Sequence, residues 1–115
     1  MKIDNFFYPV DNIQESLVFY KDILELPIKF DFRERGMIAF KIGQEEAAII
    51  VKEKSKFPES KACVWIEVEN VNVMYETLLI KNVRFLSEPY KIHTGFAVEF
   101  YDPSGNIIGI TDYNL

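Results

Sequence analysis

Thiol and imidazole are scarce in this chain, which among 115 residues has one cysteine, Cys63, and one histidine, His93. A lone cysteine excludes an intramolecular disulfide. Positive charge is also short: 13 Lys and Arg stand against 18 Asp and Glu, giving a net charge of -5 and a pI near 4.9. The basic footprint that a nucleic acid demands is missing, and an acidic membrane surface suits such a chain no better. No apolar run of membrane-spanning length and no signal peptide is seen, so the expected location is cytoplasmic. Mild acidity of this kind mainly reports solubility.

What the chain has in quantity is apolar and aromatic surface. Hydrophobic residues make up 49%, with 10 Phe, 6 Tyr and 1 Trp. A chain of this length buries roughly two thirds of its unfolded surface in one core. One domain, residues 1–115, is therefore expected rather than two. The aromatic share of 15% is generous for a domain this small; most of those rings are expected to fill the core, and some are candidates to line a cavity.

Local pattern divides the chain into elements. Residues 3–10, IDNFFYPV, read as a buried strand. Asn12 then caps a helix over about 13–25, with Glu15 placed for a capping box and Pro27 as the stop. Its expected buried stripe is Ile13, Ser16, Leu17, Tyr20, Ile23 and Leu24. Strands follow at 28–34, 37–42 and 47–53, broken by Gly36 and by the turn at Gly43-Gln44-Glu45. The polar stretch 54–60 is a connector too short to separate independent domains.

The same order then recurs. ACVWIEV (62–68) is strand-like and Asn70 is the cap. Val71, Met74, Tyr75, Leu78 and Leu79 form the helical stripe, with Asn82 suited to the left-handed position that ends it. NVRFLSEP, GFAVEFY and NIIGITDY supply three further strands. Val10-Asp11-Asn12-Ile13 overlays Val68-Glu69-Asn70-Val71 at an offset of 58, and Phe40 overlays Phe100 at an offset of 60. The expectation is an α+β fold of two βαβββ modules, about 1–53 and 61–115.

Two stretches carry a resemblance. Asp102-Pro103-Ser104-Gly105 has the residue order of a type I turn within FYDPSGN. VDNIQESLVFYKDILELPIKF carries Phe19-Tyr20 and Leu24 in the first half. Together with the duplication, they make the whole chain resemble the vicinal oxygen chelate superfamily, which includes glyoxalase I, extradiol dioxygenases and bleomycin-resistance proteins. The resemblance implies two curved sheets forming an open cup with the helices outside. In the enzymes a divalent metal sits there on His, His and Glu plus a fourth residue, polarising substrate oxygens. Those positions fall here on Asn5, Cys63 and Gly109, with Ile49 as the fourth. None is a good hard-metal ligand, apart from Cys63 as a candidate thiolate, so neither metal nor cofactor is expected. His93, lone in a polar connection, reads as solvent-exposed or hydrogen-bonded.

Strand alternation from Asn5 puts Phe7 into the cup, and alternation from Cys63 adds Trp65 and Glu67. Glu99, Tyr101 and Gly109 complete the candidate ligand-binding set. The vacant metal positions and the aromatic, acidic cup make the expected protein a metal-free one, similar to glyoxalase or bleomycin-resistance proteins, that binds or sequesters a small planar or cationic molecule, with no catalytic residue assigned. The alternative is a metal-dependent lyase, isomerase or dioxygenase with divergent ligands. Expected partners are the small-molecule ligand and a second copy in a homodimer, with modules paired within or between chains.

Overall fold

The structure, a computed structural model, describes all 115 residues. Each module runs strand, helix, three strands. The first has β1 (Lys2–Val10), α1 (Ile13–Leu17), β2 (Ile28–Phe32), β3 (Met37–Lys41) and β4 (Ala48–Glu53). The second has β5 (Cys63–Glu67), α2 (Val71–Ile80), β6 (Tyr90–Ile92), β7 (Gly95–Tyr101) and β8 (Ile107–Thr111). Within each, the last strand lies parallel to the first and antiparallel to its other neighbour, in the orders β2-β3-β4-β1 and β6-β7-β8-β5. By contact the chain forms two compact units, Asn5–Ala62 and Cys63–Leu115, the second also holding Met1–Asp4.

Each sheet keeps one face for its helix, because alternation lets one strand serve two surfaces. In the first module Ile13 and Leu17 pack on Val10, Ile38, Phe40, Ile49 and Val51. In the second Val71, Met74 and Tyr75 pack on Ile66, Val68, Val98, Phe100 and Ile110. The opposite face of the first sheet has its own small core of Ala39, Ala48 and Ile50 with Phe7, Phe30 and Met37 against it.

Helix starts obey the sequence. Asn12 Oδ1 accepts from the Glu15 amide at 2.9 Å, and Asn70 Oδ1 from the Val73 amide at 3.0 Å. A second cap was not visible in the sequence. The last strand of each module ends in a carboxylate that takes the first helical amide: Glu53 Oε2 accepts from Ile13 at 3.1 Å, and buried Asp112 Oδ2 from Val71 at 2.8 Å. Helix ends follow as well, since Asn82 is left-handed at φ 66° and the Val83 and Asn82 amides close on Leu78 and Leu79 carbonyls at 3.1 and 3.0 Å.

Three expectations are corrected. The first helix changes to a π-helical stretch over Val18–Ile23, with the Leu24 amide bonded to the Phe19 carbonyl at 2.9 Å. Its wider turns advance the stripe, so Ile23 and Leu24 are exposed and Leu26 packs on the core instead. Leu79 likewise faces solvent, one step beyond the face that α2 buries. Finally, 82–89 is no strand. Phe85 makes a single bridge to Phe100, Pro89 has no amide to offer a ladder, and the paired segment is Tyr90–Ile92.

Candidate functional site

The open face of the second sheet, away from α2, gathers six of the eight residues singled out from sequence. Cys63, Trp65 and Glu67 come from β5, Glu99 and Tyr101 from β7, and Gly109 from β8. Register sets Trp65 beside Gly109 and Gly109 beside Glu99, making one row across three strands. A Cβ on Gly109 falls within 2.6 Å of Trp65 Cε3 and closer still to Cδ2. The indole thus lies on the bare Gly109 backbone, and any side chain at 109 overlaps it.

The carboxylates differ in their surroundings. Glu67 meets Lys2 at 3.6 Å in a solvent-exposed ion pair worth little. Glu99 is half-buried and its Oε1 accepts from the Tyr90 hydroxyl at 3.1 Å. Burial, then the neighbouring Glu99 carboxylate, pushes the Tyr90 phenol above its ordinary value, so it stays a donor across the neutral range. Tyr101 already has a cation, the Arg84 guanidinium 5.0 Å from its ring centroid. At the sheet end Tyr113 donates to Asp4, its phenol raised by burial and by that carboxylate.

Asn5 and Phe7 lie on β1 in the first module. Phe7 packs with Ala48 and Ile50 on the open side, and the Lys52 ammonium stands 4.4 Å above its ring and 5.0 Å from that of Phe57. Asn5 Oδ1 accepts the Ala48 amide at 3.0 Å. Ile49 is a correction: it packs on the helix side, and the open-face position is Ile50, which pairs with Phe7 as Gly109 pairs with Trp65. The sequence offset was wrong by one because the last strands repeat at 59 residues, not 60. Tyr90 is absent from the sequence-based candidates because the strand-like pattern falls on 82–89, just before the paired segment Tyr90–Ile92. His93 sits in the β6–β7 turn, beside no carboxylate in a hydrogen bond or ion pair.

Sequence comparison supplies the family. The description "Glyoxalase-like domain" matches residues 3–113. The chain belongs to the glyoxalase-like domain family. It shares 32% identity with the uncharacterized protein YraH of Bacillus subtilis (strain 168), over 88% of this chain and 90% of the relative. Its fold superposes on hypothetical protein BH1468 from Bacillus halodurans C-125 with a TM-score of 0.76 at 19% identity, covering 99% and 95% of the two chains. The corresponding values for methylmalonyl-CoA epimerase from Mycobacterium tuberculosis are 0.75 and 15%, with 99% and 89% covered. At these identities the structural likeness speaks for the vicinal oxygen chelate fold alone.

The metal that this glyoxalase-like fold implies does not fit the residues present. An amide, a thiol, a glycine and an isoleucine offer no hard-oxygen or imidazole set. In neither unit do three His, Cys, Asp or Glu side chains converge on a point. At Gly109 the space a carboxylate would enter is filled by the Trp65 ring. No helix is long and apolar enough to cross a membrane.

Proposed function

We propose that this protein binds a small planar molecule on the open aromatic face of its second module, without using a metal ion. The observation that carries this reading is the indole of Trp65 lying over Gly109, where the resemblance puts a metal-binding carboxylate. The exchange turns an anionic ligand position into a flat aromatic platform, and a ring face recognises planar molecules by stacking. Sequestration is the function such a surface serves, in the manner implied by resemblance to bleomycin-resistance proteins. Glu67 and Glu99 give the platform an acidic border.

Native mass spectrometry of the purified protein, mixed with a panel of planar heteroaromatic compounds, tests this. The expected result is a one-to-one adduct with at least one compound and no divalent-metal adduct. Stoichiometric metal retained through buffer exchange, and lost in Cys63→Ser, contradicts the proposal and favours a metal-dependent enzyme with divergent ligands.

A further inference from the structure

Glu99 is a half-buried carboxylate to which no cation of the chain is assigned. The ion pairs join Lys2 to Glu67, Lys21 to Asp22, Arg33 to Asp31 and Lys54 to Asp11, and Glu99 belongs to none. Its one hydrogen bond comes from Tyr90 and occupies Oε1, which leaves Oε2 able to accept. Drawing a carboxylate partly out of water is unfavourable unless something restores its lost interactions. A neutral phenol restores them in part and holds the group at a fixed angle.

The position of Glu99 gives that arrangement a purpose. Glu99 and Trp65 sit on either side of Gly109 in one row of the sheet, two strand spacings or roughly 10 Å apart at the backbone. Because the indole lies over Gly109, the ring stands on the strand next to Glu99, and an aromatic surface and a carboxylate are neighbours. Negative charge beside an aromatic face favours a cation, each attracting it independently. The first module shows such a contact made from within: Lys52 places its ammonium over Phe7, the counterpart of Trp65. The counterpart of Lys52 in the second module is Thr111, a neutral residue whose hydroxyl donates to the Phe96 carbonyl at 3.1 Å. The β8 strand therefore brings no charge to the position that Lys52 holds in β4.

We infer that Glu99, oriented by Tyr90, is the specificity-determining residue of the platform, selecting planar ligands that carry an N–H-bearing cation, such as a protonated aminoheteroaromatic or an amidinium. This rests on the binding function proposed above and names its ligand class. Glu99 supplies the charge and the acceptor at Oε2, Trp65 the stacking surface, and Tyr90 fixes the carboxylate rotamer. Tyr90 acts through Glu99 and is a positioning residue.

Two three-ring probes of like shape test it: 9-aminoacridine, a cation at neutral pH, and acridine, neutral there. Each is titrated into the protein with Trp65 fluorescence as readout. The wild type should bind 9-aminoacridine about 10-fold more tightly, and Glu99→Gln, which keeps an acceptor for Tyr90, should bring the two within about 2-fold. Tyr90→Phe should fall between, losing affinity for the cation and leaving acridine unchanged. In the wild type alone, the preference should shrink between about 20 mM and about 500 mM salt, which needs no variant to fold. Equal binding of the probes by wild type, or a preference that survives Glu99→Gln or high salt, overturns the inference and leaves the platform standing. Saturable quenching by neither probe overturns the inference together with the function it rests on.

Discussion

Trp65 and Gly109 are one feature in two residues. The indole lies where a Cβ at 109 belongs, so Gly109→Ala forces either the ring or the strand to move. Overpacking of this kind costs about 1–3 kcal/mol. In a Trp65→Ala background the same substitution should cost less than about 0.5 kcal/mol, because the obstructing ring is gone. Urea unfolding of the four proteins measures the coupling, and additive effects would show that the ring does not occupy that space. At this scale the sequence was informative where alternation rules. Cys63, Trp65, Glu67, Glu99, Tyr101 and Gly109 share the open face because period two leaves no other choice once one residue is placed. Nothing in the residue string shows that Tyr90 reaches Glu99, since that depends on where β6 begins. Nor does it show that a ring fills the place of a missing carboxylate.

The elements are held at their starts by carboxylates from distant strands. Asp112 is buried, at 1% exposure, and accepts from Val71, Phe96 and Asn114 amides at 2.8, 2.9 and 3.3 Å, tying α2, β7 and the carboxyl-terminal segment together. Gly95 makes room for it, as a Cβ there overlaps Asp112 Oδ1. Burial raises the pKa of Asp112, but the amide bonds outweigh burial and the net shift is downward. A carboxyl lowered in the folded state stabilises fully above its unfolded pKa, about 4, and less as pH falls through the folded value. Asp112→Asn should therefore cost about 1–3 kcal/mol at pH 7, and a smaller penalty should remain at pH 3. Urea midpoints at the two pH values check this, and a penalty independent of pH would contradict it.

The first helix makes a separate prediction. Its π-helical stretch turns Ile23 outward at 64% exposure while Tyr20 stacks on Phe40 with ring centroids 5.0 Å apart. Ile23→Gln should change stability by less than about 0.5 kcal/mol, whereas Tyr20→Ala should cost about 2–3 kcal/mol. Comparable losses would restore the regular helical stripe that spacing alone suggests. That stripe fails as a guide because regular three-and-four spacing assumes a turn of constant width. Asn12 and Asn70 were legible as caps because the cap contact spans only three residues, while Glu53 and Asp112 reach across 40 and 41 residues that sequence does not fold by inspection.

Over the whole molecule, duplication was the most legible property. Strand order, paired helix starts and the Asp102–Gly105 turn, closed by the Gly105 amide on the Asp102 carbonyl at 3.0 Å, follow the repeat read from residues. What a repeat cannot convey is how each copy has diverged in use. In the first module the open face pairs Phe7 of β1 with Lys52 of β4. In the second the same positions hold Trp65 and Thr111 beside Glu99, and that difference is the basis for assigning ligand binding to the second. The central claim is that this face binds planar molecules by itself, with Trp65 standing in for a metal ligand. Equilibrium titration of Trp65 fluorescence with a planar ligand, performed once in excess chelator and once in excess divalent metal, tests it most directly. Superimposable saturable quenching curves are predicted; quenching that appears only with metal, or in neither condition across a broad panel, would contradict the account.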